Sequence, residues 1–515
     1  MKTLILDKYM TFNVNSRAAC KKVCIYDGEN LLFDFDCRID NLHPDFTAYI
    51  DVSAFVGREV ELTVDPSIPY EPSFAAKMEH PNLWKEPLRP EVHFTVKNGW
   101  NNDPNGLVYR DGIYHMFYQY NPAAPVWGNM HWGHAVSRDL LHWEEKDIAL
   151  FPDTLGTMYS GSAITDEKNA SGFGAGTMLL YYTAAGCNSI RSSGQKFTQC
   201  LACSKDGEIF VKYDGNPIVP HIEAANRDPK VVYVEEIDKY IMALYRAECR
   251  YQLLSSSDLV HWKEFQEILL YDDAECPDLF TLKCGGKKYW ILMGAKDTYI
   301  VGHFEKNRFV IDNSEKKLTH LKMSYAAQSF SGIPGGRVVR IAWHILNAPA
   351  DNFTSQMSFP TEMKLEQCND EFYLSATPIK EIENLHNSGE TLTKLVLDEA
   401  KTIETGASAL DVSFSMPYIR GEKLAINIFG TDIECDMAKN TIRCKNIRMP
   451  LSISGDNVDL RILVDRCSVE IFADGGKIFA AAVAFADYNL PWVRINKNEK
   501  ITIDSFTWHT LKNIH

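Results

Sequence analysis

The sequence predicts a nearly all-β protein in which a region of repeated β units is followed by a β-sandwich. Most of the 515 residues fall in short runs where apolar and polar side chains alternate, with Gly, Asn and Asp between the runs. Alternation over four to eight residues is typical of β-strands. Helical periodicity is scarce and is clearest at Ile379, Ile382 and Leu385, just after Pro378.

The first 88 residues are expected to form a small accessory β domain. They contain the strand-like runs 31–35 and 60–64, and they lead into a proline-rich stretch, 71–91, with little alternation. Two roles are open for this region. One is packing or oligomer contact, and the other is carbohydrate binding. Packing or oligomer contact is favoured because the aromatic residues are dispersed rather than grouped on one strand face.

A turn sequence occurs three times in the middle of the chain. Residues 137–143 read Ser-Arg-Asp-Leu-Leu-His-Trp, residues 256–262 read Ser-Ser-Asp-Leu-Val-His-Trp, and a weaker version begins at Ser204-Lys-Asp. Repeated β units that each carry the same turn are typical of propeller blades. A β-sandwich would also have short strands but has no reason to repeat a turn, so we predict a propeller over residues 89–378.

Residues 379–515 are expected to begin with a short linker helix and to continue as a β-sandwich. A fresh set of alternating runs starts after the helix, and it includes residues 460–465, 469–472 and 480–485.

Composition and charge exclude several classes of function. Lys and Arg total 53 against 68 Asp and Glu, which gives a formal charge of −15, and no basic stripe interleaves with aromatic residues. Nucleic-acid binding is therefore not expected. No run approaches the ~20 apolar residues of a membrane-spanning helix, so no membrane association is expected.

The cysteines indicate a reducing compartment. There are 13 of them, without the regular spacing of a disulfide scaffold, and the N-terminus lacks the apolar run of a secretory leader. We therefore expect a cytoplasmic protein.

Cys200 and Cys203 form a lone C-x-x-C in a strand-like run. No metal or cofactor site is predicted, since no His, Asp and Glu cluster with ligand spacing is visible.

Three carboxylates stand out because each lies near a proline and in a different β repeat. Asp103 lies in Trp-Asn-Asn-Asp-Pro-Asn-Gly at 100–106, where we expect a tight turn at a strand end. Asp228 lies in Asn-Arg-Asp-Pro at 226–229, and Glu275 opens Glu-Cys-Pro-Asp at 275–278. Equivalent edges of propeller blades meet at the axis, so these acids are expected to converge. Paired carboxylates are the catalytic groups of glycoside hydrolysis.

These three segments resemble the W-M-N-D-P-N-G, R-D-P and E-C-P-D boxes of glycoside hydrolase family 32, the β-fructofuranosidases, over about residues 90–515. The resemblance implies a five-bladed propeller joined to a β-sandwich and a retaining reaction. It also implies that Asp103 is the nucleophile, Glu275 the general acid/base and Asp228 the stabiliser of the transition state. Arg227 should keep Asp228 ionised, Glu275 should hold a proton, and the retaining pair should lie about 5 to 5.5 Å apart.

The same resemblance implies a set of substrate-binding residues. Amides, hydroxyls and a guanidinium bridge sugar hydroxyls, and aromatic faces cover the sugar ring. For Trp127 the alternative is a core or rim position, and for Trp343 it is core packing. The set is Trp100, Asn102, Gln119, Trp127, Tyr159, Ser160, Arg227 and Trp343.

Three residues depart from the family pattern. Asn101 replaces a Met, Tyr159 replaces a Phe, and Asn226 replaces an apolar residue. We expect all three to be polar additions around the sugar pocket, and we expect them to alter the preference of the protein for the leaving group.

The predicted activity is release of fructose from the non-reducing β-D-fructofuranosyl end of sucrose or fructans. A fructosyltransferase, an endo-acting fructanase and an inactive fructan-binding protein are the alternatives. Homo-oligomerisation through the N-terminal or sandwich region is a further expectation. Linkage preference and any 6-phosphate requirement depend on the shape of the loops around the leaving-group subsite.

Overall fold

The computed structural model describes residues 1–68, 70–80, 83–318, 323–346, 352–451, 456–487, 489–490, 492–497 and 501–515. The described part of the chain is nearly all β, as predicted, and its helical segments are short 3-10 turns. One of these turns, Lys380–Leu385, is the predicted linker helix, and it buries Ile382 and Leu385. No described helix has the length and apolar character needed to cross a membrane.

The N-terminal region forms two small sheets, in the orders β1-β6-β3-β4 and β5-β2-β7. Their strands are β1 Lys2–Leu4, β2 Tyr9–Val14, β3 Lys21–Asp27, β4 Asn30–Cys37, β5 Phe46–Asp51, β6 Glu59–Asp65 and β7 Ser73–Ala75. A 3-10 turn, Ser53–Phe55, lies between β5 and β6.

This region packs against the following one. Ala123 belongs to its apolar core, Asn129 exchanges two 2.8 Å hydrogen bonds with the backbone of Asp36, and Asp34 accepts a 2.8 Å bond from the Ile190 N–H. These contacts pack the N-terminal sheets against the propeller, and the role of this region stays a prediction.

Five sheets follow, each of which begins at an inner strand. The first contains β8 Gly99–Arg110, β9 Ile113–Asn121, β10 His131–Ser137 and β11 Trp143–Glu145; the second contains β12 Thr157–Asp166, β13 Thr177–Ala185, β14 Thr198–Ser204 and β15 Val211–Lys212. The third contains β16 Arg227–Val234, β17 Lys239–Ala247, β18 Arg250–Ser256 and β19 Lys263–Leu269, with the 3-10 turn Glu235–Ile237.

The fourth sheet contains β20 Asp278–Cys284, β21 Lys287–Met293, β22 Thr298–Glu305, β23 Arg308–Ile311 and β24 Lys316–Lys317. The fifth is built from β25 Ser324–Ser329, β26 Val339–His344, β28 Gln356–Met357, β29 Thr361–Cys368 and β30 Glu371–Pro378, with the 3-10 turn Pro334–Gly336, while β27 Phe353–Thr354 returns to pair in parallel with β8.

The sheets are the blades of a propeller. The inner strands contact one another in a closed ring, in the order β8, β12, β16, β20, β25 and back to β8. The repeated turn lies at the same place in three blades, between the third and fourth strands. There Asp139, Asp206 and Asp258 each accept hydrogen bonds from backbone N–H groups two and three residues later, which is why Asp recurs at that position.

Two six-stranded antiparallel sheets complete the fold, in the orders β31-β42-β33-β38-β39-β40 and β32-β41-β34-β35-β36-β37. Their strands are β31 His386–Leu397, β32 Lys401–Glu404, β33 Leu410–Pro417, β34 Lys423–Ile428, β35 Thr431–Asp436, β36 Thr441–Cys444, β37 Ile447–Pro450, β38 Asn457–Val464, β39 Ser468–Ala473, β40 Ile478–Val483, β41 Trp492–Lys497 and β42 Ile501–Leu511, with the 3-10 turn Asp474–Gly476. Apolar side chains from both sheets form one core, so this is the predicted sandwich.

The sandwich and the propeller share apolar contacts. One continuous cluster joins Val92, Phe94 and Ile341 of the propeller side to Phe472 and Phe479 of the sandwich. This shared core, rather than a linker, holds the two regions together.

Candidate active site

Asp103 lies inside a strand and not in the tight turn that the sequence predicted. The segment 100–106 belongs to β8, whose pairing with β9 shifts between Asn101 and Pro104 and again between Asn105 and Val108. A bulge re-aims a side chain without ending the strand, and it tolerates a proline that cannot donate to the ladder. The prediction was wrong because Asn, Asp, Pro and Gly suit bulges as well as turns.

The Asp103 carboxylate is half-buried and hydrogen-bonded. Its Oδ2 accepts a 2.6 Å bond from the Ser160 hydroxyl on β12. Burial raises the pKa of Asp103, hydrogen bonds from Ser160 and Asn102 oppose the rise, and the charge of Glu275 adds to it. The carboxylate is therefore a better base and nucleophile than a solvated one.

Asp228 is nearly fully buried at the start of β16, where the pairing with β17 is again irregular. Its backbone has a positive φ of 67°, a conformation that is strained for a residue other than glycine. The Asp228 N–H donates to the Thr183 hydroxyl at 2.9 Å, and Oδ2 accepts from the Cys276 N–H at 3.0 Å.

The expectation that Arg227 keeps Asp228 ionised is wrong in its net effect. Burial raises the pKa of Asp228 to about 7, although Arg227 opposes the rise, while Glu275 adds to it. The Arg227 Nε lies 3.6 Å from Asp228 Oδ2, but its Nη2 donates a 2.6 Å bond to Glu275 Oε1. The guanidinium is thus closer to the other acid.

Glu275 lies just before β20, as predicted, and also has a positive φ, of 64°. Its two oxygens have different partners: Oε1 accepts from Arg227, and Oε2 accepts a 3.0 Å bond from the Tyr325 hydroxyl. The Glu275 side chain is 34% exposed, so a substrate can reach it. Its protonation and its separation from Asp103 stay predictions.

The three acids are joined by a residue that sequence reasoning did not select. The Cys276 Sγ lies 3.6 Å from Asp103 Oδ2 and 3.5 Å from Asp228 Oδ2. Burial, reinforced by the surrounding carboxylates, raises the pKa of this thiol well above its usual range, so it stays neutral and can donate. Its position beside Glu275 in the Glu-Cys-Pro-Asp motif was the available signal.

Tyr325 was also missed, because it lies outside the three motifs that contain the acids. Its ring lies 6.3 Å from that of Trp343, and Trp343 lies 5.9 Å from Trp100 in an edge-to-face arrangement. These three aromatics form a wall that begins at Glu275.

A second aromatic group stands on the β12 side. The Tyr159 ring lies 6.2 Å from Trp127 and 5.5 Å from Phe197, both edge to face. Trp127 is 55% exposed, which excludes core packing, and its contact with the sugar stays a prediction.

The predicted polar binders lie around these walls. Asn102 Oδ1 accepts a 2.9 Å bond from the Trp100 indole, and Gln119 donates a 3.0 Å bond to the Met158 carbonyl on β12. Both amides are therefore held in place by neighbouring groups.

Two of the three departures from the family pattern do not face the pocket. Asn101 and Asn226 are both fully buried at 0% exposure. Asn226 accepts a 3.2 Å bond from the Ile222 N–H, while both side-chain polar atoms of Asn101 lack a partner. Only Tyr159 remains as a polar addition that a substrate can touch.

Comparison with known proteins identifies the family in which this arrangement of residues occurs. The family description "Glycosyl hydrolases family 32 N-terminal domain" matches residues 93–378, and "Glycosyl hydrolases family 32 C terminal" matches residues 421–510. The chain belongs to glycosyl hydrolase family 32. The family match begins at residue 93, so the N-terminal sheets lie outside it.

Relatives of this family 32 chain are similar over most of its length. A levanase from Bacillus subtilis (strain 168) is 30% identical over 502 residues, covering 86% of this chain and 73% of the relative. An extracellular exo-inulinase from Aspergillus awamori is 29% identical, covering 82% of this chain and 94% of the relative. The crystal structure of exo-inulinase from Aspergillus awamori aligns with a TM-score of 0.75 at 26% identity, covering 84% of this chain and all of that one.

Proposed function

We propose that this family 32 chain is a retaining β-fructosidase that releases fructose from the non-reducing β-D-fructofuranosyl end of sucrose or fructans. The observation that carries the proposal is the three-carboxylate cluster, in which Cys276 touches Asp103 and Asp228 while Arg227 reaches Glu275. The levanase and exo-inulinase relatives support fructans as the substrate class.

In the first step, Asp103 attacks the anomeric carbon of the fructosyl unit and Glu275 gives a proton to the departing oxygen. A fructosyl ester on Asp103 and a free alcohol result. Water then attacks the ester as Glu275 takes its proton, which restores both acids and retains the anomeric configuration.

The neighbours of each acid suit these roles. A Ser160 hydroxyl and a Cys276 thiol donate to Asp103 Oδ2 and hold the carboxylate in place. Tyr325 contacts Glu275, and because a phenol both donates and accepts, it can keep its contact whether Glu275 is charged or neutral. Buried Asp228 has few protein donors, which leaves its oxygens for substrate hydroxyls.

The test is product analysis on sucrose, inulin-type oligomers and levan-type oligomers. We expect free fructose from one chain end, and methyl β-D-fructofuranoside when methanol competes with water, since retention passes through the ester. Fragments from mid-chain would identify an endo-acting enzyme, and lengthened chains at high sucrose would identify a transferase. Binding without turnover, unchanged in Asp103→Asn, would contradict catalysis.

We also propose that the enzyme works in a reducing compartment. All 13 cysteines are free thiols, and Cys276 lies in the site itself. Fractionation of producing cells should place the activity with cytosolic markers, and activity in the medium would contradict this proposal.

A further inference from the structure

A second cluster of titratable side chains, separate from the three catalytic carboxylates, lies buried where the propeller meets the sandwich. His93 precedes β8, His344 ends β26 in the fifth blade, and Glu470 lies in β39 of the sandwich. One ligand atom from each lies within 4.8 Å of the others. All three side chains have 0% exposure.

The cluster holds polar atoms that no hydrogen bond satisfies. His93 Nε2, both ring nitrogens of His344 and Glu470 Oε2 are buried and without a partner. Buried polar side-chain atoms are nearly always paired. A group of unpaired atoms that face one another therefore indicates that a ligand binds between them.

The spacing fits a metal ion better than hydrogen bonds. His93 Nε2 lies 3.5 Å from Glu470 Oε2, and His344 Nε2 lies 3.3 Å from Glu470 Oε1. A hydrogen bond would need roughly 2.7 to 3.2 Å. Donor atoms bound to one tetrahedral Zn²⁺ at about 2.0 to 2.2 Å lie about 3.4 Å from each other.

The surrounding groups orient the donors as a metal site requires. His93 Nδ1 lies 2.8 Å from Asp465 Oδ2. Because an ionised carboxylate can only accept, Nδ1 carries a hydrogen, and in the neutral ring Nε2 then has its lone pair directed toward Glu470, free to bind a metal ion. A carboxylate behind a ligating histidine is the usual second layer of a zinc site. The Phe359 N–H holds Glu470 Oε1 at 3.2 Å.

We propose that His93, His344 and Glu470 bind one Zn²⁺ ion, which fastens the propeller to the sandwich. Two imidazole nitrogens and a carboxylate are a donor set that zinc prefers. Full burial, which leaves no access for a substrate, assigns the ion a structural role. Its charge would balance Asp465 and Glu470, whereas without it a proton on His93 must do so.

The test compares wild type with His344→Gln and with a control, His131→Gln, which changes another buried propeller histidine outside the cluster. Mass spectrometry of protein purified from zinc-supplemented cells should find about one zinc per chain in wild type and His131→Gln, and at least about tenfold less in His344→Gln. X-ray absorption should show nitrogen and oxygen ligands at about 2.0 to 2.1 Å. The thermal midpoint of chelator-stripped wild type should rise with added zinc.

Zinc well below one per chain in wild type would overturn the proposal in favour of a protonated His93. So would zinc retained in His344→Gln, or sulfur ligands at about 2.3 Å, which would place the ion on cysteines. If His344→Gln does not fold, the absorption spectrum and the zinc response of wild type decide alone.

Discussion

Asp228 and Asp465 are both buried aspartates, one at the propeller axis and one where propeller and sandwich meet, yet their pKa values move in opposite directions. Burial raises the pKa of Asp228 to about 7. At Asp465 burial acts in the same sense, but hydrogen bonds from His93 and from backbone N–H groups outweigh it and lower the pKa.

The difference lies in how many donors each carboxylate has. Asp465 accepts from the N–H groups of Glu91, Val92 and Arg466 as well as from the His93 ring. Asp228 accepts one backbone N–H and one thiol contact, both from Cys276. A buried carboxylate with a full set of hydrogen-bond donors stabilises the fold. A buried carboxylate with few donors has oxygens free to bind a ligand, and it lowers the stability of the fold.

The largest expected effect follows from breaking the chemistry at the axis. Asp103→Asn and Glu275→Gln should each lower turnover on sucrose by roughly 10⁴-fold or more, because each removes a group that acts only in the reaction. Steady-state kinetics checks the loss, and circular dichroism should show unchanged folding.

A fructosyl fluoride separates the two roles, since fluoride leaves without a proton. Glu275→Gln should form the fructosyl-enzyme rapidly from this substrate, while Asp103→Asn should not. Equal defects in both variants would contradict the assignment of Glu275 as the acid.

Asp228→Asn should lower turnover by about 10²- to 10³-fold and yet stabilise the fold at neutral pH. The raised pKa means that the folded protein holds a proton which the unfolded chain has released between about pH 4 and pH 7. Asp228 therefore has little effect on stability at pH 4, and its penalty grows to at most about 4 kcal/mol above pH 7. Urea denaturation at pH 4, 6 and 8 should show the variant gaining over wild type as pH rises; a constant difference would contradict the raised pKa.

Asp465→Asn should show the reverse dependence. Its lowered pKa means that the stabilisation is present above about pH 4 and is lost as pH falls through the folded value. We expect a loss of about 3 kcal/mol at pH 7 with unchanged turnover per folded molecule. The same urea series measures it, and a stable variant with impaired turnover would contradict a structural role for Asp465.

The smallest expected effect concerns a polar group near the axis that has no partner. Asn101 is fully buried with both amide atoms unsatisfied, so Asn101→Met should stabilise the fold by about 1 to 3 kcal/mol. Sucrose and fructan kinetics should not change, because the side chain does not reach the pocket. A shift in leaving-group preference would restore Asn101 to the role first expected of it.

The amino-acid sequence by itself determined the fold class, the repeated turn and the identity of the three acids. These depend on local chemistry: alternation sets strands, Asp accepts from the N–H groups that follow it, and the three motifs are each contained in a few residues. The bulge at Asp103 was mistaken for a turn because both use the same residue types.

Only the tertiary structure decided the partners of those acids. Arg227 adjoins Asp228 in sequence but reaches Glu275, 48 residues away, and Tyr325 and Cys276 complete the site. His93, His344 and Glu470 come from the propeller and the sandwich and show no ligand spacing in the sequence. The physical reason is that pKa values and ligand sets depend on which side chains share a buried volume, and the arrangement of the blades and the sandwich sets that volume.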